Sequence, residues 1–187
     1  MRLYLVGRFR FIALDVETSC SEAARICQIG LACVKADNSL EMFSILVDPK
    51  TVFNSFTVKL HEIRPEHVVG ASCFPETLIF ILPLLSKHHL IQHSSFDKRA
   101  TAAAYLSYDL NPPDFCLSDS MAIARKAWPE LKGNGGHGLA NLKRELDFDF
   151  RYHDAGEDAR AAAMVVLHAE AHLEMSYDKS ILPLSKK

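Results

Sequence analysis

The chain has 187 residues, 49% of them apolar and 24% charged, which excludes disorder for its bulk and suits one domain of ordinary size. Its formal net charge is −2 at pH 7, so no global positive field gathers polyanions, and any nucleic-acid contact must be local. The longest apolar run, Leu78 to Leu85, contains Pro83 and is less than half the roughly 20 residues of a membrane span, so no transmembrane helix is expected.

The start, Met1 to Arg10, has no apolar stretch long enough for a secretory signal and reads as the mature start of an intracellular protein. Five cysteines without a C-x-x-C pair argue against a disulfide framework or a structural zinc site and fit a reducing cytoplasm. Three β-branched or apolar runs follow, Phe9 to Val16, Ile26 to Val34 and Met42 to Val47. Their short connections predict an antiparallel meander. From Pro75 the pattern becomes helix (Pro75 to Lys87), strand (Leu90 to His93), helix (Phe96 to Tyr108), strand (Phe115 to Ser118) and then helices. That alternation implies parallel strands joined by right-handed crossovers. The expected class is therefore α/β, a mixed sheet with helices on its faces, forming one domain over 1–175 with a loose tail from Ser176 to Lys187.

Three short segments carry chemistry. Asp15 and Glu17 project from the same face of a strand that is otherwise apolar. Two carboxylates so close repel each other; the pair is either a solvated turn or the floor of a cation site, where oxygen ligands favour magnesium or manganese. In His93-Ser94-Ser95-Phe96-Asp97 the acid falls in a first helical turn, which helix initiation also explains, with Ser94 or Ser95 as N-cap. In the third segment a helix runs from about Asp154 to Glu174. Its apolar face holds Ala155, Ala162, Val165, Val166, Ala169 and Leu173, while Glu157, Arg160, His168 and Glu170 turn away to solvent. Asp158 lies in the middle of the apolar face, an inward carboxylate with no cationic neighbour on its helix, and a metal would resolve that anomaly. Asp154 is ordinary capping.

Taken together, Asp15, Glu17, Asp97 and Asp158, with His153 five residues before the last acid, resemble the DEDDh family of 3′-to-5′ exonucleases. The likeness extends to Phe53-Asn54, Leu60-His61-Glu62-Ile63, Asp119-Ser120 and the stretch Ala122 to Leu131, and points to domains similar to the proofreading (epsilon) subunit of bacterial DNA polymerase III and to BRCT-fused exonuclease domains. The resemblance implies a ribonuclease H-like fold with a mixed five-stranded sheet, three antiparallel strands and then parallel ones. It further implies two Mg2+ or Mn2+ ions held by Asp15, Glu17, Asp97 and Asp158, and His153 as general base. The implied activity is hydrolysis of single-stranded 3′ ends, DNA before RNA, releasing nucleoside 5′-monophosphates, with a DNA polymerase or repair partner. The reading from a different class is a catalytically silent nucleic-acid-binding or scaffold protein that keeps the fold.

By the same resemblance Thr18 meets the terminal nucleotide, and Leu60 with His61 lies against its base and sugar. The chain departs from the family pattern in three places. Glu62 stands where a glycine is usual, Ser19-Cys20 replaces Thr-Gly, and Ser94-Ser95 replaces Asn-Ala. Gly133 to Gly138 has no Gly-Lys-Ser/Thr and reads as a flexible helix-to-helix connection rather than a phosphate loop. Lys98, Arg99 and Lys132 are sources of local phosphate contacts or simply solvated cations.

Overall fold

A computed structural model describes residues 7–176. The elements in chain order are β1 (Phe11–Thr18), β2 (Ile26–Val34), β3 (Leu40–Leu46), α1 (Ser55–His61), α2 (Phe74–Leu85), β4 (Leu90–Gln92), α3 (Phe96–Ser107), β5 (Leu117–Asp119), α4 (Ser120–Ala127), α5 (Leu139–Glu145) and α6 (Ala155–Leu173). They form one mixed sheet in the order β3-β2-β1-β4-β5. The first three strands pair antiparallel, and β4 and β5 join parallel to β1. This is the ribonuclease H-like arrangement expected from the resemblance.

β1 is central because its sequence lets both faces be buried. Phe11 and Ala13 point to a cluster with Ile123 of α4, Leu142 of α5 and Val165 and Val166 of α6. Ile12, Leu14 and Val16 point the other way, to Leu78 and Ile81 of α2 and Ala104 of α3. Each large apolar side chain so covered contributes about 1.5–3 kcal/mol. By the period of two, Asp15 and Glu17 continue the α6 side of the sheet.

The element boundaries differ from expectation in a few places. β1 begins two residues later and ends two later than Phe9 to Val16. The Phe9 ring packs on His88 with centroids 5.6 Å apart, and its N–H donates to His88 Nε2 at 3.2 Å, outside the ladder. At the other end Glu17 and Thr18 stay paired with Gln28 and Ile26 across a register shift. β3 starts at Leu40 rather than Met42, β5 lies two residues later at its start than Phe115, and α2 stops at Leu85, just past Pro83 in its last turn.

α6 is buried on more than the predicted face. Ala159, Ala161 and Ala163 are as inaccessible as Ala155 and Ala162, because α4 and α5 pack on α6 as the sheet does, while Leu173 stays partly exposed. The charges expected in solvent are only partly so. Glu157 and Arg160 pair at 2.8 Å, and Glu170 ion-pairs with Arg10. All five cysteines are free. Among the described residues no helix is long and apolar enough to cross a membrane. The start segment before Gly7 and the expected tail beyond Ser176 lie outside the described residues.

Candidate active site

The C-terminal half of β1, the first turn of α3 and the first turn of α6 meet at one end of the sheet. Gly30 of β2 permits the meeting: it pairs with Asp15 and has the backbone of Ala155 directly above it. Gln28, the partner of Glu17 in the ladder, accepts the Ala155 N–H at 3.0 Å and donates to Ser44 at 2.8 Å, tying the start of α6 to β2 and β3. Asp154 caps the helix as expected, its Oδ1 accepting from Gly156 and Glu157 N–H at 3.0 and 3.2 Å. Asp158, on the fourth helical residue, is thereby delivered to Asp15 and Glu17.

Asp97 does not initiate its helix in the way a capping acid would. It is 2% exposed, and its Oδ1 accepts the Val16 N–H at 3.3 Å. Ser95 occupies the N-cap position without a side-chain bond, whereas Ser94, at φ 90°, accepts the Phe96 N–H. The Ser94 N–H donates to Asp119, which also caps α4, so the loop carrying Asp97 is fastened to the neighbouring strand and helix.

His153 adopts a left-handed conformation, φ 59°, which costs a non-glycine residue roughly 1–2 kcal/mol. The turn aims its N–H at Asp158 Oδ2, 3.0 Å away. Its imidazole is 42% exposed at the rim, with Nδ1 4.0 Å from Glu17 Oε1. Glu17, His153 and Asp158 each offer a ligand atom within 4.8 Å of the others, and the buried Asp158 Oδ1 has no hydrogen-bond partner.

The electrostatics describe a site short of positive charge. Burial, then its carboxylate neighbours, push Glu17 up to about 8. Burial raises Asp97 to about 7, held back by the Val16 N–H, and Asp158 to about 7, held back by the His153 N–H. Asp15 is raised well above the ordinary carboxylate range, first by burial and then by Asp97 and Asp158. Four such acids stay together as anions only around cations, and an all-carboxylate oxygen set with an orphaned buried oxygen fits hard divalent ions. Burial lowers His153 below the usual imidazole value, which keeps the ring neutral at pH 7.

The cleft between these elements, about 280 Å³, is lined also by Thr18, Leu60, His61 and Phe96. Leu60 is 40% exposed at its edge, whereas His61, the last residue of α1, is 3% exposed. Its Nδ1 accepts the Ile63 N–H at 3.0 Å, so Nε2 carries the proton and donates to the Thr18 carbonyl at 3.2 Å. The departure at Glu62 has a structural correlate: Glu62 sits at φ 62°, the conformation a glycine takes without strain, and pairs with Arg151 at 3.2 Å. The Gly133 to Gly138 segment lines none of this cleft and is tied down, with His137 bonded to the Trp128 carbonyl and Asn141 donating to Gly136 O, each at 2.8 Å. Lys98, Arg99 and Lys132 are exposed and outside the cleft lining. Gln28 and Gly30 carry no motif signal, and an internal strand glutamine facing a helix start is the sequence feature that would have pointed to them.

Comparisons with known proteins give the family and the fold. The family model for exonucleases (RNase_T) matches residues 12–166. The DNA polymerase III PolC-type of Streptococcus mutans is 28% identical over 160 residues, covering 83% of this chain and 11% of that protein. The corresponding protein of Latilactobacillus sakei is 27% identical over 172 residues, covering 90% and 12%. The chain thus spans about a tenth of the curated relatives it matches. Among solved structures, the nuclease domain of 3′hExo, a DEDDh member bound to rAMP, superposes with a TM-score of 0.74 at 18% identity, covering 97% of this chain and 98% of that one. Exonuclease X in complex with 5′-overhanging duplex DNA gives 0.71 at 16%, covering 90% and 96%.

Proposed function

The chain belongs to the exonuclease family whose model spans residues 12–166, and from that membership we propose that it is a divalent-metal-dependent 3′–5′ exonuclease releasing nucleoside 5′-monophosphates from single-stranded ends. The observation that carries the reading is the convergence in one cleft of four acids from β1, α3 and α6, each raised by burial above the ordinary carboxylate range. Asp15, Glu17, Asp97 and Asp158 would hold two Mg2+ or Mn2+ ions. When bound, such ions stabilise developing charge on the attacking and leaving oxygens of an in-line phosphodiester hydrolysis.

The protein's own groups do the rest. His153, neutral at pH 7, takes the proton of the attacking water on Nδ1, the nitrogen on the Glu17 side. Glu17 then lies close enough to stabilise the imidazolium. The left-handed backbone of His153 fixes where the ring stands, because its N–H is anchored on Asp158. Leu60 and Phe96 offer apolar surface at the cleft for the terminal base, and Thr18 with His61 supports the cleft wall beneath it.

DNA is the proposed polymer because the curated relatives are DNA polymerases, although the structural neighbours include proteins described with rAMP and with histone mRNA. A DNA polymerase or repair complex in the cytoplasm is the proposed partner on the same ground. The test is the full chain with end-labelled single-stranded DNA and RNA and magnesium or manganese, resolved at single-nucleotide length. Stepwise shortening from the 3′ end, with 5′-phosphorylated mononucleotides as product, is expected; undiminished cleavage in excess chelator would overturn the metal reading, and tight end-binding with no cleavage would favour the silent scaffold.

A further inference from the structure

His153 is delivered to the cleft by a strap that is neither helix nor strand. Residues 148–152 run between two left-handed residues, Asp147 at φ 52° and His153 at φ 59°. With no ladder to fix it, the strap is held by its rings. Phe148 stacks on Phe150 and on His168 of α6, each at 5.8 Å between centroids, Phe150 meets Tyr152 at 4.4 Å, and Tyr152 meets the His153 imidazole at 6.1 Å.

Two cations from different helices grip the backbone of this chain of rings. Lys143 of α5 donates from Nζ to the Phe150 carbonyl at 3.0 Å, and Arg160 of α6 donates to the carbonyl of Asp149, one residue earlier. The Lys143 ammonium also stands 5.4 and 5.5 Å from the centroids of the Phe150 and Tyr152 rings, within the roughly 6 Å over which a ring face attracts a cation. One charge thus touches the strap's backbone and both rings that lead to His153. Its ion pair with Asp149, at 2.5 Å, contributes little, because the Asp149 carboxylate is 92% exposed and solvent screens it.

A left-handed non-glycine residue persists only where the surrounding structure holds it. The N–H bond to Asp158 secures His153 from one side; the residues before it need a hold of their own. We propose that Lys143 is a positioning residue for His153, keeping the strap in place so that the left-handed turn persists and the imidazole stays at the rim of the cleft. The inference rests on His153 acting as general base. Lys143 itself lines no part of the cleft.

The test compares Lys143→Met, Lys143→Arg and Asp149→Asn with the unmodified full chain. It measures single-turnover cleavage in Mn2+, affinity for Mn2+ and for a single-stranded oligonucleotide, and amide hydrogen exchange in chelator. Lys143→Met should speed exchange across residues 148–153 and lower the single-turnover rate, each by about tenfold, with both affinities kept within about twofold. Lys143→Arg, whose guanidinium still reaches a carbonyl and stacks on rings, should restore most of both. Asp149→Asn should match the wild type. If Lys143→Met does not fold, Lys143→Gln, which keeps a donor but no charge, should show the same two effects. Unaltered exchange in the uncharged variant would overturn the proposal whether or not the chain is a nuclease. So would faster exchange at an unchanged single-turnover rate, or a rate loss matched by lost strand affinity, which would make Lys143 a phosphate contact. An unmodified chain that never cleaves would sink the proposed reaction instead, and exchange would then decide alone whether Lys143 holds the strap.

Discussion

Gly30 of β2 and Ala155 at the start of α6 are in backbone contact: a Cβ on Gly30 would stand 1.9 Å from the Ala155 carbonyl oxygen and 2.4 Å from Gly156 N. The obstruction would be backbone, which cannot swing aside as a side-chain end does. Because Gly30 is the ladder partner of Asp15, the missing side chain sets how near Asp158 comes to Asp15. Gly30→Ala should therefore destabilise the fold by about 1–3 kcal/mol, as overpacking does, and lower the metal-dependent rate at least tenfold. Urea unfolding with single-turnover kinetics checks both; unchanged stability would show that α6 can lift without loss.

Removing one acid should stabilise the metal-free protein. Glu17, Asp97 and Asp158 have folded values of about 8, 7 and 7, above the roughly 4 of an unfolded carboxyl. A raised carboxyl contributes stability that is fully present below the unfolded value and is lost as pH climbs through the folded one. In chelator, Asp158→Asn should accordingly gain on the wild type progressively between about pH 4 and pH 8, by roughly 2–4 kcal/mol at the upper end. The same variant should lose essentially all turnover. Melting curves over a pH series read the first effect, and a gain that does not depend on pH would contradict it.

Loading with cations should expel protons. At pH 7 the cluster still holds some, and a carboxylate binds a metal only after releasing its own. Calorimetric titration with Mn2+ in two buffers of different ionisation enthalpy should show net proton release near pH 7 that fades by about pH 9–10, with a rise in melting temperature on loading. Equal heats in both buffers at pH 7 would mean the acids are already ionised.

His153→Ala should lower kcat by roughly 100-fold or more and leave divalent-cation affinity and single-strand affinity little changed. If the neutral imidazole is the base, as proposed, the wild-type rate should climb with pH through a midpoint below the usual imidazole value, because burial lowers His153. The alanine variant should lack that limb. Weaker binding at an unchanged single-turnover rate would make His153 a substrate contact instead.

Sequence pattern revealed what hydrophobic burial dictates and missed what tertiary contact dictates. β2 was bounded correctly because all nine of its residues are buried, so apolarity alone marks Ile26 and Val34. β1 was displaced because Phe9 is apolar yet packs on His88, while Glu17 and Thr18 are polar yet remain in the ladder. Asp158 could be singled out as an inward acid on an apolar face. Asp97 could not be told from a capping acid, since only the fold brings the Val16 N–H to it. The short helix α1 has seven residues with an Asn54 cap, too brief to display a period. Gln28 and the role of Gly30 emerge only when β2 and α6 are seen in contact, across more than 120 residues of chain.

The acids come from stretches that a growing chain produces at different times: Asp15 and Glu17 early, Asp97 midway, and Asp158 on the last helix described. α6 also covers the face of the sheet formed by Phe11, Ala13, Ala32, Val34 and Ile91. During synthesis, then, the protein passes through a stage in which its sheet can pair while one apolar face is bare and the cation site lacks a wall. A chain ended at Phe148 should sediment as aggregates and bind no Mn2+. On the proposed reading, the acid cluster is completed and the apolar sheet face is covered by the same event, the docking of α6.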